Sequence, residues 1–192
     1  VTPAPIETPR LVIRRFTPED APFILKLLNE PGWLRFIGDR GIRSVEGARA
    51  YIESVPMASY EKNGFGLSAV EIKESGALAG MAGLIRREGL EHVDVGFALL
   101  EEHMGRGYAR EAAEAVVAQG WSVFGLPRIV AITTTDNTRS IRLLESMGFR
   151  FVKVFRMPDD DEDLNLYAMD RPGAPAPKAG LPPAPSGRSE DA

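Results

Sequence analysis

Cysteine is absent, and histidine occurs only at positions 92 and 103 of the 192 residues. Disulfides and thiolate metal sites are therefore impossible, and two imidazoles are too few to suggest a zinc centre, so no metal is expected. No uncharged run is long enough to span a bilayer, and no signal-peptide pattern opens the chain. The expectation is a soluble cytoplasmic protein with no membrane partner. A basic excess is also missing: 23 Lys and Arg stand against 27 Asp and Glu, for a net charge of -4. That argues against a general nucleic-acid binder. What remains is ordinary for a globular chain, with 44% apolar and 26% charged residues. The length suggests one domain with a sizeable core.

One stretch organises the rest. Val93 to Leu100 alternates like a strand, and Ala109 to Phe124 carries apolar residues at helical spacing. Between them lies a short turn with Gly105 and Gly107. Successive backbone N–H groups of such a turn converge at the positive end of a helix. Two residues without Cβ let an anionic group approach the main chain closely. The residues therefore suggest a phosphate-binding turn.

Upstream, Arg10 to Arg15 reads as a first strand after an extended, proline-bearing start. Thr17-Pro18-Glu19-Asp20 opens a helix with Phe23, Ile24, Leu27 and Leu28 on one face, and Pro31-Gly32 ends it. Trp33 to Gly38 is an apolar connection of unassigned type. Ser44 caps a second helix whose apolar face carries Ala48, Tyr51, Ile52 and Val55. Phe65 to Ile72, Leu78 to Ile85 and His92 to Leu100 read as an antiparallel meander. Downstream, Arg128 to Thr135 is a buried strand. Asp136-Asn137-Thr138 caps a short helix holding Ile141, Leu144 and Met147, which Gly148 ends. Phe149 to Phe155 and Leu164 to Met169 form a closing hairpin around the acidic run from Asp159 to Asp163. From Arg171 onward Pro, Ala, Gly and Ser dominate, as in a disordered tail.

Met104-Gly105-Arg106-Gly107-Tyr108-Ala109 resembles the acyl-CoA turn of the GNAT superfamily of N-acetyltransferases, with Met104 where Gln or Arg is usual. Four further stretches are similar to the branch containing the ribosomal-protein N-terminal acetyltransferases. They are Thr8-Pro9-Arg10-Leu11 with Arg14-Arg15-Phe16, Asp94-Val95-Gly96-Phe97, Gly105 to Ala112, and Asn137-x-x-Ser140 with Leu143-Leu144-Glu145-x-Met147-Gly148-Phe149. The resemblance implies an α/β (α+β) acyltransferase fold over residues 8–170, with residues 171–192 as the tail. It implies a mixed, mostly antiparallel sheet flanked by helices, whose strands His92–Leu100 and Arg128–Thr135 splay apart to admit acyl-CoA.

The same resemblance implies the site. Acetyl-CoA is the donor and an amine the acceptor, either a protein N-terminal α-amine or a small-molecule amine. Met104, Gly105, Arg106, Gly107, Tyr108 and Ala109 hold the pyrophosphate, with Tyr108 packing on the cofactor or on the core. A backbone N–H among Ala98, Leu99 and Leu100 receives the oxyanion, and Asn137 contacts the pantetheine arm. Asp94 is the expected base, or else a carboxylate that is solvated or paired with an arginine. Leu144 stands where many members have a Tyr acid. Ser140 matches the serine proposed for that role, or else makes only a local helix-end bond. Trp33 and Phe36, with Tyr51, are wall residues of the acceptor pocket or simply core. Assembly as a homodimer is left open. An alternative function is a non-catalytic acyl-CoA-binding sensor of the same fold. A dinucleotide site is disfavoured, because Arg110 replaces the third glycine and the turn follows a meander rather than an opening βαβ unit.

Overall fold

The structure is a computed structural model and describes residues 4–158 and 161–173. Asp159 and Asp160 of the acidic run, and the expected tail beyond Gly173, lie outside the described residues. Eight strands form one sheet. In chain order they are β1 (Ile6–Glu7), β2 (Leu11–Arg14), β3 (Leu67–Ile72), β4 (Leu78–Ile85), β5 (Val93–Leu99), β6 (Arg128–Thr134), β7 (Arg150–Phe155) and β8 (Leu164–Asp170). The spatial order is β1-β2-β3-β4-β5-β6-β8-β7. Every pairing is antiparallel except β5 with β6, which is parallel. The helices are α1 (Ala21–Leu28), α2 (Pro31–Phe36), α3 (Val45–Ile52), α4 (Ala58–Asn63), α5 (Tyr108–Ser122) and α6 (Thr138–Ser146).

Strand alternation assigns the two faces. On β5, Val93, Val95 and Leu99 join Leu84, Val116, Val117 and Ile129 in a core beneath α5 and α6. The opposite face packs Met81, Ala69 and Ala98 against Ile24, Leu27, Leu28 and Ile52 of the α1–α4 layer. Each fully buried Val, Leu, Ile or Met among them contributes about 1.5–3 kcal/mol by leaving water. Among the described residues, no helix is long and apolar enough to cross a membrane.

Three local features differ from the sequence expectations. Pro31-Gly32 ends α1, but Pro31 also opens α2 from its first position, so Trp33 and Phe36 are helical. The second helix does not carry Val55 on its apolar face. It continues through a π-helical turn, Glu53–Met57, into α4. Pro56 lies inside that turn, where its missing N–H and its ring disfavour tight α-helical bonding. The wider turn rotates the face, so Pro56 and Tyr60 point inward and Val55 is 43% exposed. Finally, Ile6–Glu7 is a paired strand, so the sheet begins before residue 8.

β4 and β5 approach very closely at one point. A Cβ on Gly80 would lie 2.1 Å from the Ala98 carbonyl oxygen and 2.8 Å from Leu99 Cα. Both neighbours are main chain and cannot rotate away. Gly80→Ala is therefore expected to push the strands apart and cost about 2 kcal/mol. Thermal unfolding checks this, with an expected drop of about 5 °C.

Candidate active site

β5 and β6 stay together for only two register pairs, Val93 with Ile129 and Asp94 with Val130. Above Asp94 they diverge. The Leu100 amide donates to the Ala79 carbonyl at 2.9 Å. By antiparallel alternation, Ala98 and Leu100 direct their backbone groups at β4, while Phe97 and Leu99 direct theirs at the gap toward β6. Of the three expected oxyanion donors, only the Leu99 N–H faces the opening. The gap thus has an edge of unpaired peptide groups able to bond an extended chain.

At the top of the gap, Glu101–His103 forms a 3-10 turn and the chain then enters α5. Gly105 and Gly107 have φ of +76° and +81°, and Gly107 is the N-cap of α5. Gly107 offers no side chain to the helix end. Among the described residues, none of the amides from Gly105 to Arg110 has a hydrogen-bond partner. Free N–H groups at a helix start are able to bond an anion. Arg106 is exposed beside it, whereas Arg110 is committed to Glu114 at 2.7 Å. Met104 accepts from Arg139, which ties the turn to the start of α6. Tyr108 packs on the core beneath α5, with the Arg10 guanidinium 4.8 Å above its ring.

Asp94 lies where the strands part, on the face of β5 turned away from α5, and is fully buried. Arg87 Nε donates to its Oδ2 at 2.6 Å. Oδ1 has no hydrogen-bond partner among the described residues. Burial pushes the carboxyl up to about 6, against the opposing pull of Arg87 and, more weakly, of the nearby Ile132 amide, which does not reach bonding geometry. Asp94 is therefore both paired with an arginine and equipped with a free oxygen. Arg87 had no assigned role in the sequence, since a basic residue in a turn carries no sign of its partner.

Across the gap, Asn137 accepts from the Ser140 amide at 3.2 Å and caps α6. Its side-chain amide and the half-buried Ser140 hydroxyl have no partners among the described residues. Arg35 of α2 bonds Asp136 at 3.2 Å, so the α1–α4 layer reaches the loop before α6. Trp33 is a buried member of that layer's core, with its indole N–H unpartnered. Phe36 is half-buried beneath the Arg35 guanidinium. Tyr51 lies close enough to Arg40 and Arg87 to sense their charge, and burial raises its phenol. On the Asp94 face, a cavity of about 290 Å³ runs from His92 past Val130 to Lys153, Phe155 and Leu166. It adjoins Asp94 through the paired Val130. Among the described residues, no group of three or more His, Asp or Glu is arranged to hold a metal.

A parallel pair of strands that parts in mid-sheet, with a glycine turn and helix start at its mouth, defines the acyltransferase class expected from the sequence. The comparisons agree. The family model for the acetyltransferase (GNAT) domain matches residues 10–150. The Bacillus subtilis protein YoaA, described as an uncharacterized N-acetyltransferase, is 31% identical over 173 residues, covering 87% of this chain and 97% of that one. An acetyltransferase from Agrobacterium tumefaciens has a similar fold, with a TM-score of 0.75 at 23% identity, covering 89% of this chain and 96% of that one. RimL, a ribosomal L7/L12 α-N-protein acetyltransferase solved with coenzyme A, superposes with a TM-score of 0.74 at 18% identity, covering 87% and 98% of the two chains. The chain belongs to the GNAT acetyltransferase family.

Proposed function

We propose that the protein transfers the acetyl group of acetyl-CoA to a primary amine by direct attack, without metal or covalent enzyme intermediate. The observation carrying this reading is the parting of β5 and β6 just above a buried carboxylate, with free amides at the mouth. The amides of the Met104–Ala109 turn, with Arg106, hold the pyrophosphate of the donor. The Leu99 N–H faces the opening from which it stabilises the oxyanion. The amine nitrogen attacks the thioester carbonyl, an N–C bond forms and the C–S bond breaks. The amine proton passes to Asp94, directly or through water, and the leaving thiolate is protonated through the Ser140 hydroxyl, which takes up a proton from water in the same step. Asn137 orients the pantetheine arm through its free amide. Trp33 and Phe36 border the acceptor side.

The acceptor is a protein N-terminal or small-molecule amine, and an α-amine gives up its proton more readily than a lysine-type amine whatever the base. A base with a pKa of about 6 is roughly two units below an α-amine at ~7.8. It is more than four below a lysine-type amine at ~10.4, a far larger uphill transfer. A CoA-release assay with acetyl-CoA and matched α-amino peptides, amino acids, polyamines and aminoglycosides tests this. Release with α-amino acceptors is expected. Binding of acetyl-CoA without release across the panel would instead support the sensor alternative.

A further inference from the structure

The turn at the mouth of the gap is held from behind by the start of the chain. Glu111, in the first turn of α5, accepts three hydrogen bonds from the segment before β2. Thr8 Oγ1 at 2.6 Å and the Arg10 amide at 2.9 Å reach its Oε1, and Arg10 Nε at 2.6 Å reaches its Oε2. Burial alone would raise the Glu111 carboxyl, but these bonds together hold it below its ordinary value. With its Nε fixed, Arg10 extends Nη1 to the Arg106 carbonyl at 2.8 Å. The same guanidinium rests on the Tyr108 ring. Gly107 leaves it room, since a Cβ there would lie 3.2 Å from Arg10 Nη2.

The peptide joining Arg106 to Gly107 is the one this contact governs. A trans peptide points its C=O and its N–H in opposite directions. Bonding the Arg106 carbonyl to Arg10 therefore aims the Gly107 N–H away from Arg10. Glycines at 105 and 107 otherwise make this turn permissive, because a residue without Cβ tolerates rotation of the flanking peptides. We infer that Thr8, Arg10 and Glu111 form a positioning clamp that fixes the 106–107 peptide in its receiving orientation before the donor arrives. Donor affinity is then set in part by side chains acting through the turn. This inference rests on the donor site proposed above. It also gives one physical purpose to two stretches that lie 103 positions apart in the chain at Thr8 and Glu111.

Isothermal titration of the purified protein with CoA, alongside amide hydrogen exchange of the ligand-free protein, tests the clamp. Glu111→Gln places an NH2 group against donors from Thr8 or Arg10. It is expected to raise the CoA dissociation constant about tenfold. The donor KM rises with it, while the acceptor KM stays unchanged. Thr8→Val moves in the same direction by less, and Thr8→Ser, which keeps the hydroxyl, restores wild-type affinity. In the free protein, the amides of Arg10 and residue 111, bonded in wild type to the Glu111 carboxylate and to the Gly107 carbonyl, exchange faster in Glu111→Gln than in wild type, with the melting transition still cooperative. Unchanged exchange and unchanged CoA affinity in Glu111→Gln would overturn the clamp. So would a Thr8→Ser variant as weak as Thr8→Val. Failure of the wild type to bind CoA would overturn the donor site, whereas the exchange result reports on the clamp independently.

Discussion

Asp94→Asn is expected to lower kcat by about 10²–10⁴-fold, the range for losing a general base. The melting temperature at pH 8 should be no lower than that of the wild type. The second half follows from linkage. The folded carboxyl titrates at about 6 against an ordinary 3.8, so between those values the folded protein binds more protons than the unfolded chain. Wild-type stability therefore falls as pH rises through that window and stays at the lower level above it. Asparagine removes this term while its carbonyl still accepts from Arg87, which is partly exposed and can also turn to water. The stability difference should fade toward pH 4. In wild type, kcat/KM for the acceptor should fall below ~7.8 as the acceptor amine protonates and should steepen further below about 6, and only that steepening should vanish in Asp94→Asn. Parallel pH–rate and pH–melting series check both. A variant that loses activity only because it unfolds would contradict the assignment.

Gly107→Glu should raise the dissociation constant for acetyl-CoA by about 100-fold or more, read by titration calorimetry. Three effects act together. The new carboxylate stands at the free N–H groups meant for the pyrophosphate and repels it. Its Cβ meets Arg10 at 3.2 Å and disturbs the clamp. The backbone at φ +81° strains any residue with a side chain by about 1–2 kcal/mol. Gly105→Ala separates these causes. It has a similar φ of +76° but open space around the added methyl. It should cost similar stability and weaken donor binding far less. Equal weakening in both variants would assign the effect to backbone strain rather than to the anion site.

Much of this architecture was legible because its signals are local. Alternation marked β5, paired glycines marked the turn, and the 3.6-residue stripe of Ala112, Ala113, Val116 and Val117 marked α5. Asn137 announced the α6 cap and was found capping it. The π-turn was not legible, because its effect is a rotation of the buried face past Pro56. The pairing of β1 was hidden by flanking prolines that read only as extended chain. At the site, Asp94 was open between a base and an arginine-paired carboxylate. The geometry shows one oxygen on Arg87 and the other unpartnered, and the base role is the proposal that remains to be tested. The choice among Ala98, Leu99 and Leu100 depends on which peptides β4 consumes, a matter of register that no side chain encodes. Arg87, Arg35 and the Thr8–Arg10–Glu111 clamp act through contacts distant in sequence, so spacing offers no route to them.

The donor site is tested most directly by a crystal structure of the protein with CoA. The account predicts pyrophosphate oxygens within ~3 Å of amides between Gly105 and Arg110. The pantetheine arm should run between β5 and β6, bonded to the gap-facing peptides of Phe97 or Leu99. CoA bound elsewhere, with the gap between Leu99 and Thr134 closed, would contradict it.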